Sequence, residues 1–332
     1  MLYLLVGIDT EGDNQWSAEA RLHQRFENIY QLPRLHTLFQ RHGVRPTYLV
    51  THPVAKDARS ASLLRELREG RDTEIGAHHH AWETPPCTEA DVRRHPYALQ
   101  LPPDQFAQQA AALYEAVTDA VGERPLSYRS GRFGFSASHV FDLERIGYRV
   151  ESSVAPLFYE AHKGGPDFVD APATPYFLAY DNPTTPGTSN LLEIPVSAGL
   201  SRRMPPVLER LYGRAPSPYM TKRVLRKLGI ARLLWLRPSY SSDDEMCALA
   251  RRLKRDGVPV LNVIFHSSEI IVGGSPYNRT EAELDAFFDR LGTFLAYAVR
   301  ELGAIPVTFG EFRGLFCGSQ RAPVEATATV PA

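Results

Sequence analysis

Parallel strands enclosed by helices, closed or nearly closed into an α/β barrel, are what the sequence predicts, on three observations. Short apolar runs alternate with longer amphipathic ones along most of the 332 residues, the pattern of strand–helix units joined in series. The apolar runs repeatedly end in polar residues capable of chemistry, as barrel strands do at their loop end. With 43% hydrophobic and 23% charged residues, the chain can bury a sizeable core and is not disordered as a whole.

The elements follow in order. Met1 to Asp9 is apolar up to its last residue. It lacks a basic leader and a cleavage site and is too short to span a bilayer, so it reads as a buried first strand. Ile29, Leu32, Leu35, Leu38 and Phe39 recur at helical spacing and are closed by Gly43. Pro46 to Thr51 reads as the second strand, Ser62 to Leu67 as a helix ending near Gly70, and Glu74 to His78 as the third strand. A long helix is expected from Asp104, placed to cap it, to Val121. Pro125 to Arg129 is again strand-like, and Ser136 to Ile146 helical. Tyr148 to Ser152, Leu191 to Val196, Val258 to Phe265 and Ile305 to Phe309 read as further strands. Helices from Asp243 to Arg255 and from Glu281 to Leu302 precede the last two.

One domain is expected over residues 1–317, with an insertion at about 201–240 and a disordered tail at 318–332. Gly164 to Asn190, rich in Pro, Gly, Thr and Asp, reads as a long loop. The insertion is locally basic. It carries Arg202, Arg203, Arg210, Arg214, Lys222, Arg223, Arg226, Lys227, Arg232 and Arg237 against Glu209 alone. Within it, Thr221 to Leu236 mixes cations with apolar residues, as an interfacial helix on an anionic membrane does, or a surface helix folded onto the barrel. The whole chain is nearly neutral, with 37 Lys+Arg, 38 Asp+Glu and net charge −1, which argues against a nucleic-acid partner. Cys87, Cys247 and Cys317 are few and far apart, so neither a disulfide scaffold nor a cysteine zinc site is expected. These features point to a cytoplasmic protein.

Four strand ends carry the chemistry. Asp9, Glu11 and Asp13 fall on one side if the first strand continues, and clustered carboxylates repel unless a cation intervenes. Taken alone, the motif has a solvated Asx-type turn as its less favoured alternative. At the end of the third strand, His78 and His80 face one way and His79 the other. Two imidazoles converging from one short segment suit a divalent transition metal. Arg129 and Arg132 flank a glycine bend, where one could orient a carboxylate and the other hold an anion. His266 ends another apolar strand. Glu193, inside an apolar strand, needs a partner such as an arginine or a substrate hydroxyl. The other histidines, among them His36, His42, His52, His95, His139 and His162, read as structural.

In this order and placement the motifs resemble those of the polysaccharide deacetylases, the NodB-homology family or carbohydrate esterase family 4. The similarity runs from Gly7 to about Gly310 and looks closest to the WalW-like branch of lipopolysaccharide and exopolysaccharide biosynthesis. Asp9-x-Glu11 is similar to the first motif, Glu74-Ile75-Gly76-Ala77-His78 to the second, Tyr128-Arg129-Ser130-Gly131-Arg132 to the third and Phe265-His266 to the last. The resemblance implies a distorted (β/α)7 barrel carrying the inserted basic helical segment, and metal-dependent removal of an N- or O-acetyl group from a sugar. It implies Asp9 as base, His266 as acid and Arg129 as the residue orienting the base. Glu11, His78 and His80 are implied as ligands to one divalent metal, zinc first, with cobalt, nickel or manganese as alternatives. Trp82, Arg132 and Glu269 are the expected substrate contacts. The expected partner is a saccharide, or a lipid- or nucleotide-linked glycan precursor.

The second motif departs from the family, which mostly has histidines four positions apart; four positions after His78 stands Trp82. Either His80 substitutes, or the site holds metal weakly or not at all. Three rival readings follow: a saccharide-binding pseudo-deacetylase, a hydrolase of small amides on the same barrel, and a metal-dependent glycosyltransferase using Asp9-Thr10-Glu11. The glycosyltransferase would leave His78, His80 and His266 without a purpose.

Overall fold

The computed structural model describes residues 1–70, 72–215 and 231–321. Its strands are β1 (Tyr3–Thr10), β2 (Pro46–Val50), β3 (Glu74–His79), β4 (Ser127–Ser130), β5 (Val150–Glu151), β6 (Tyr176–Phe177), β7 (Leu192–Glu193), β8 (Ala198–Leu200), β9 (Leu233–Trp235), β10 (Val260–His266) and β11 (Ile305–Pro306). Seven lie parallel in the order β10-β1-β2-β3-β4-β5-β7. β6 adds antiparallel to β7, and β11 pairs with the start of β1.

The two faces of β1 show how the sheet curls. Leu4, Val6 and Ile8 pack outward with Leu32, Leu35 and Phe39 of the helix Leu32–Arg41. Leu5 points inward to Leu49, Val150, Leu192, Val260 and Phe309. Period-two alternation therefore turns Asp9, like Leu5 and Gly7, into the barrel. Gly7 is needed there: a Cβ would stand 2.7 Å from the Phe309 ring and 2.8 Å from an Arg129 guanidinium nitrogen.

Among the described residues no strand ladder joins β7 to β10, so the barrel is distorted and incompletely closed. Asn262 bridges the seam. Its Nδ2 donates to the carbonyls of Ile194 and Pro195 at 3.0 and 3.2 Å, and its backbone N–H to Ser197 Oγ at 2.9 Å. Helices cover the outside. Asp243–Arg255 and Glu281–Ala296 each start from a reciprocal cap, Ser242 with Glu245 and Thr280 with Glu283.

Several boundaries differ from those read off the sequence. Asp104 lies in the first turn of the helix Pro103–Val121, with Pro102 at the cap position; proline's fixed φ starts a helix without a side-chain cap. The helix expected to reach Leu302 is α-helical to Ala296 and ends in a π turn, Tyr297–Glu301. The last strand stops at Pro306, and Phe309 opens a helix running to Arg321, so Gly318 to Arg321 are helical. Residues 322–332 lie outside the described residues.

The two ends of the basic insertion are held together by the antiparallel pair β8 and β9, and it contains the helix Pro206–Arg214. Residues 216–230, with most of the expected interfacial helix, lie outside the described residues. Its remaining end is strand β9 rather than helix.

Candidate active site

β1, β3, β4 and β10 end side by side, with Asp9 in register with His266 and His78 with Arg129. Arg129, fully buried, reaches across the barrel. Its Nη1 donates to Asp9 Oδ1 at 2.7 Å, while Nε and Nη2 are taken by Ser152 O and Oγ. Burial would raise the Asp9 carboxyl, but His78, Arg129 and His266 together hold it well below the usual carboxylate range. Asp9 Oδ2 is left facing His78 Nε2 and His266 Nε2, each at 3.8 Å.

Glu11, His78 and His80 are buried, and their ligand atoms all lie within 4.8 Å of one another. Glu11 is anchored through its backbone by Ser267 Oγ and the Asn28 amide. His78 Nδ1 lies 3.2 Å from the Arg129 carbonyl. A carbonyl can only accept, so Nδ1 carries the proton and Nε2 is bare toward Glu11, at 3.9 Å. His80 Nε2 is 3.2 Å from Glu11 Oε2. Burial alone would lower the His80 pKa, but Glu83 and Glu11 push it up to about 9, marking a place where positive charge is favoured. One carboxylate and two imidazole nitrogens converging in a buried, cation-favouring spot fit a divalent transition metal.

His266 is held from behind. Its Nδ1 contacts Glu269 Oε1 at 2.7 Å and Arg237 Nη2 at 2.9 Å, and its ring meets the Trp16 edge at 5.0 Å. Burial works against an ionised Glu269, but Arg237 and His266 bring its carboxyl down to about 2. The cleft over these groups has a volume of about 440 Å³ and is rimmed by Trp16, Tyr240 and Tyr277 on one side and Arg132, Phe133, Phe158 and Lys163 on the other.

No family model matches the sequence, and no curated protein matches it by sequence. Solved structures do match. A candidate polysaccharide deacetylase from Mycobacterium smegmatis superposes with a TM-score of 0.56 at 15% identity, over 99% of this chain and 94% of that one. A candidate glycoside hydrolase/deacetylase from Parabacteroides distasonis gives 0.61 at 14% identity, over 95% of this chain and 71% of that one. The fold is that of the NodB-homology polysaccharide deacetylases.

Within this NodB-type fold, Asp9, Glu11, His78, His80, Arg129 and His266 come together at one end of the barrel. Other expected site residues are placed differently. Asp13 does not join Glu11, because the strand ends at Thr10 and the Asp13 carboxylate instead accepts from the backbone N–H groups of Glu27 and Asn28. Glu269 is fully buried with its oxygens taken by Arg237, Ser239 and His266, so it supports His266 and offers nothing to the cleft. Trp82 lines the cleft as expected of a site residue, but is only 2% exposed, its ring stacked on His80 at 4.1 Å. Arg132 does reach the cleft, from a left-handed backbone shared with Phe133 (φ 54° and 57°), and it donates to the His95 carbonyl. Two successive non-glycine residues in that region cost energy and are typical of functional turns.

In the sequence, four further residues at this end of the NodB-type barrel carry little sign of their place. Glu83 contacts His80 Nδ1 at 2.7 Å, a pairing signalled only by the spacing His80-x-x-Glu83. Arg237, one of the cations of the basic insertion, is 8% exposed and pairs with Glu269. His95, read as structural, lines the cleft beside Trp82. Trp16 had no pattern to mark it.

Glu193 also has a different partner from those expected. It is in register with Glu151 of β5, both are fully buried, and its Oε1 accepts from Val154 N–H at 3.2 Å. Burial, then the charge of Glu151, raises its carboxyl well above the ordinary range. A larger groove of about 790 Å³ at the opposite end of the barrel is lined mainly by Arg and Glu side chains, and no metal-ligand set converges there among the described residues.

Proposed function

We propose that this protein is a metal-dependent hydrolase that removes an acetyl group, N- or O-linked, from a saccharide or glycan precursor. The observation carrying this reading is the convergence, in one cleft, of an Arg129-held Asp9, the Glu11–His78–His80 set and a backed His266. Glu11, His78 and His80 would hold the ion, zinc before cobalt, nickel or manganese; when bound it supplies Lewis acidity toward an acyl oxygen and toward water.

The chain's own residues do the rest. Asp9 is ionised, and its free Oδ2 takes a proton from the water that adds to the acyl carbon. Arg129 fixes Oδ1, so Oδ2 keeps its direction. His266 gives a proton from Nε2 to the departing amine or alkoxide as the carbon–nitrogen or carbon–oxygen bond breaks, leaving acetate and the deacylated sugar. The Trp16, Tyr240 and Tyr277 rim suits the apolar face of a sugar ring, and Arg132 suits an anionic group on the substrate, beside Lys163, which is paired with Glu160 at 2.7 Å.

Those cations support a lipid- or nucleotide-linked precursor. Three free cysteines support a reducing, cytoplasmic setting, and among the described residues no helix is long and apolar enough to cross a membrane. Contact with an anionic membrane surface is supported by the helix Pro206–Arg214, where Val207, Leu208 and Leu211 are 64%, 45% and 62% exposed. Arg203, Arg210 and Arg214 pair with aspartates there. Arg202 adds charge beside the helix, and Lys222, Arg223, Arg226 and Lys227 lie outside the described residues. Salt-sensitive co-sedimentation with anionic vesicles tests this contact.

The reaction is tested by incubating zinc-loaded protein with a panel of acetylated saccharides and nucleotide sugars and measuring released acetate. Saccharide binding without acetate release would favour a pseudo-deacetylase instead.

A further inference from the structure

His78 and His80 are held by different means. His78 lies within the β3–β4 ladder, and its Nδ1 is committed to a backbone carbonyl. His80 lies past the end of β3, in a turn where Glu83 N–H and Thr84 N–H bond back to its carbonyl at 3.2 and 3.0 Å. Trp82 stacks on its ring and Gly131 leaves room for its edge; a Cβ at Gly131 would collide with His80 Cδ2. These contacts set the plane of the imidazole but not which way round it sits. A half-turn about Cβ–Cγ keeps the plane and replaces Nε2 by Cε1 at Glu11, removing a ligand atom from the site.

Glu83 breaks that symmetry. Its Oε1 lies 2.7 Å from His80 Nδ1 as an ion-pair contact, and neither of these buried atoms has a hydrogen-bond partner elsewhere to draw it away. Its Oε2 accepts from Gln24 Nε2 at 2.6 Å. Gln24 sits in the space left by Gly12, next to Glu11, so the link joins the loop carrying the acidic ligand to the loop carrying the histidines. A carboxylate at Nδ1 fixes the tautomer, orients the ring and makes Nε2 a better donor.

We infer that Glu83, braced by Gln24, is the positioning residue that makes His80 a metal ligand. The inference rests on the metal-site reading above and adds a residue beyond the Glu11, His78 and His80 set.

The test is zinc affinity of the full chain, measured by competition with a chromophoric chelator, with the visible spectrum of the cobalt-substituted protein as a second readout. Wild type, Glu83→Gln, Glu83→Ala and Gln24→Ala are compared, with His78→Ala as reference and circular dichroism to confirm folding. Loss of an outer-shell carboxylate typically weakens metal binding about 10–100-fold. That loss is expected for Glu83→Ala, with a smaller one for Glu83→Gln and Gln24→Ala and a changed cobalt spectrum. A folded Glu83→Ala with wild-type zinc affinity and cobalt spectrum overturns the assignment while leaving the metal site standing. If Glu83→Ala does not fold, unchanged affinity in both Glu83→Gln and Gln24→Ala overturns it. A wild type that takes up neither zinc nor cobalt overturns the metal-site reading and this assignment with it.

Discussion

Arg129 and Asp9, 120 residues apart in sequence, meet at 2.7 Å in the barrel interior, where the guanidinium is completely buried. The pair leaves one carboxylate oxygen to the cleft and keeps it charged. Asp9→Asn removes the proton acceptor, while Arg129 retains Gly7 O, Ser152 O and Ser152 Oγ as acceptors. Acetate release should fall by about 10²–10⁴-fold with an unchanged circular dichroism spectrum. Near-normal turnover would remove Asp9 as the base.

His266 is assigned the proton that the leaving group needs, so its value depends on the leaving group. On an acetylated saccharide, His266→Ala should lose about 10²–10⁴-fold in turnover. On an activated aryl acetate, whose leaving group departs without a proton, the loss should be far smaller. Equal losses on both substrates would argue that His266 acts in some other way.

The Glu151–Glu193 pair makes a prediction about stability. Burial and mutual repulsion raise the Glu193 carboxyl, so the folded pair keeps a proton that unfolded glutamates release above about pH 4.5. The stability this gives is full below that pH and is lost as pH rises through the folded value. Glu193→Gln supplies a permanent hydrogen there. It should raise the urea midpoint more at pH 8 than at pH 5; the same offset at both would show that the pair does not share a proton.

The legible part of this molecule is the part built on strand periodicity. Asp9, His78, Arg129 and His266 each stand at or next to the end of a strand, and period-two alternation with parallel pairing is enough to bring them to one end of a barrel. What that periodicity does not carry is the path of the chain beyond a strand's end. Asp13 was expected beside Glu11, but the chain turns after Thr10 and Asp13 caps the Glu27–Asn28 backbone instead.

Long-range polar partners were equally hidden. Arg237 is one cation among many in the basic insertion, and only the tertiary structure shows it buried against Glu269. Glu269 looked available for substrate because local sequence does not show which carboxylates are already paired. The seam bridged by Asn262 lay beyond pattern reading for the same reason, since its side chain and a few backbone bonds from Asn262, Ser197 and Ile264 stand there in place of a regular strand ladder.

Metal content tests the central claim most directly. Untagged wild-type protein should contain about one transition-metal ion per chain by elemental analysis, and folded His78→Ala and His80→Ala variants should lose it together with acetate release. A metal-free wild type that also fails to take up zinc, cobalt or nickel would contradict the hydrolase account.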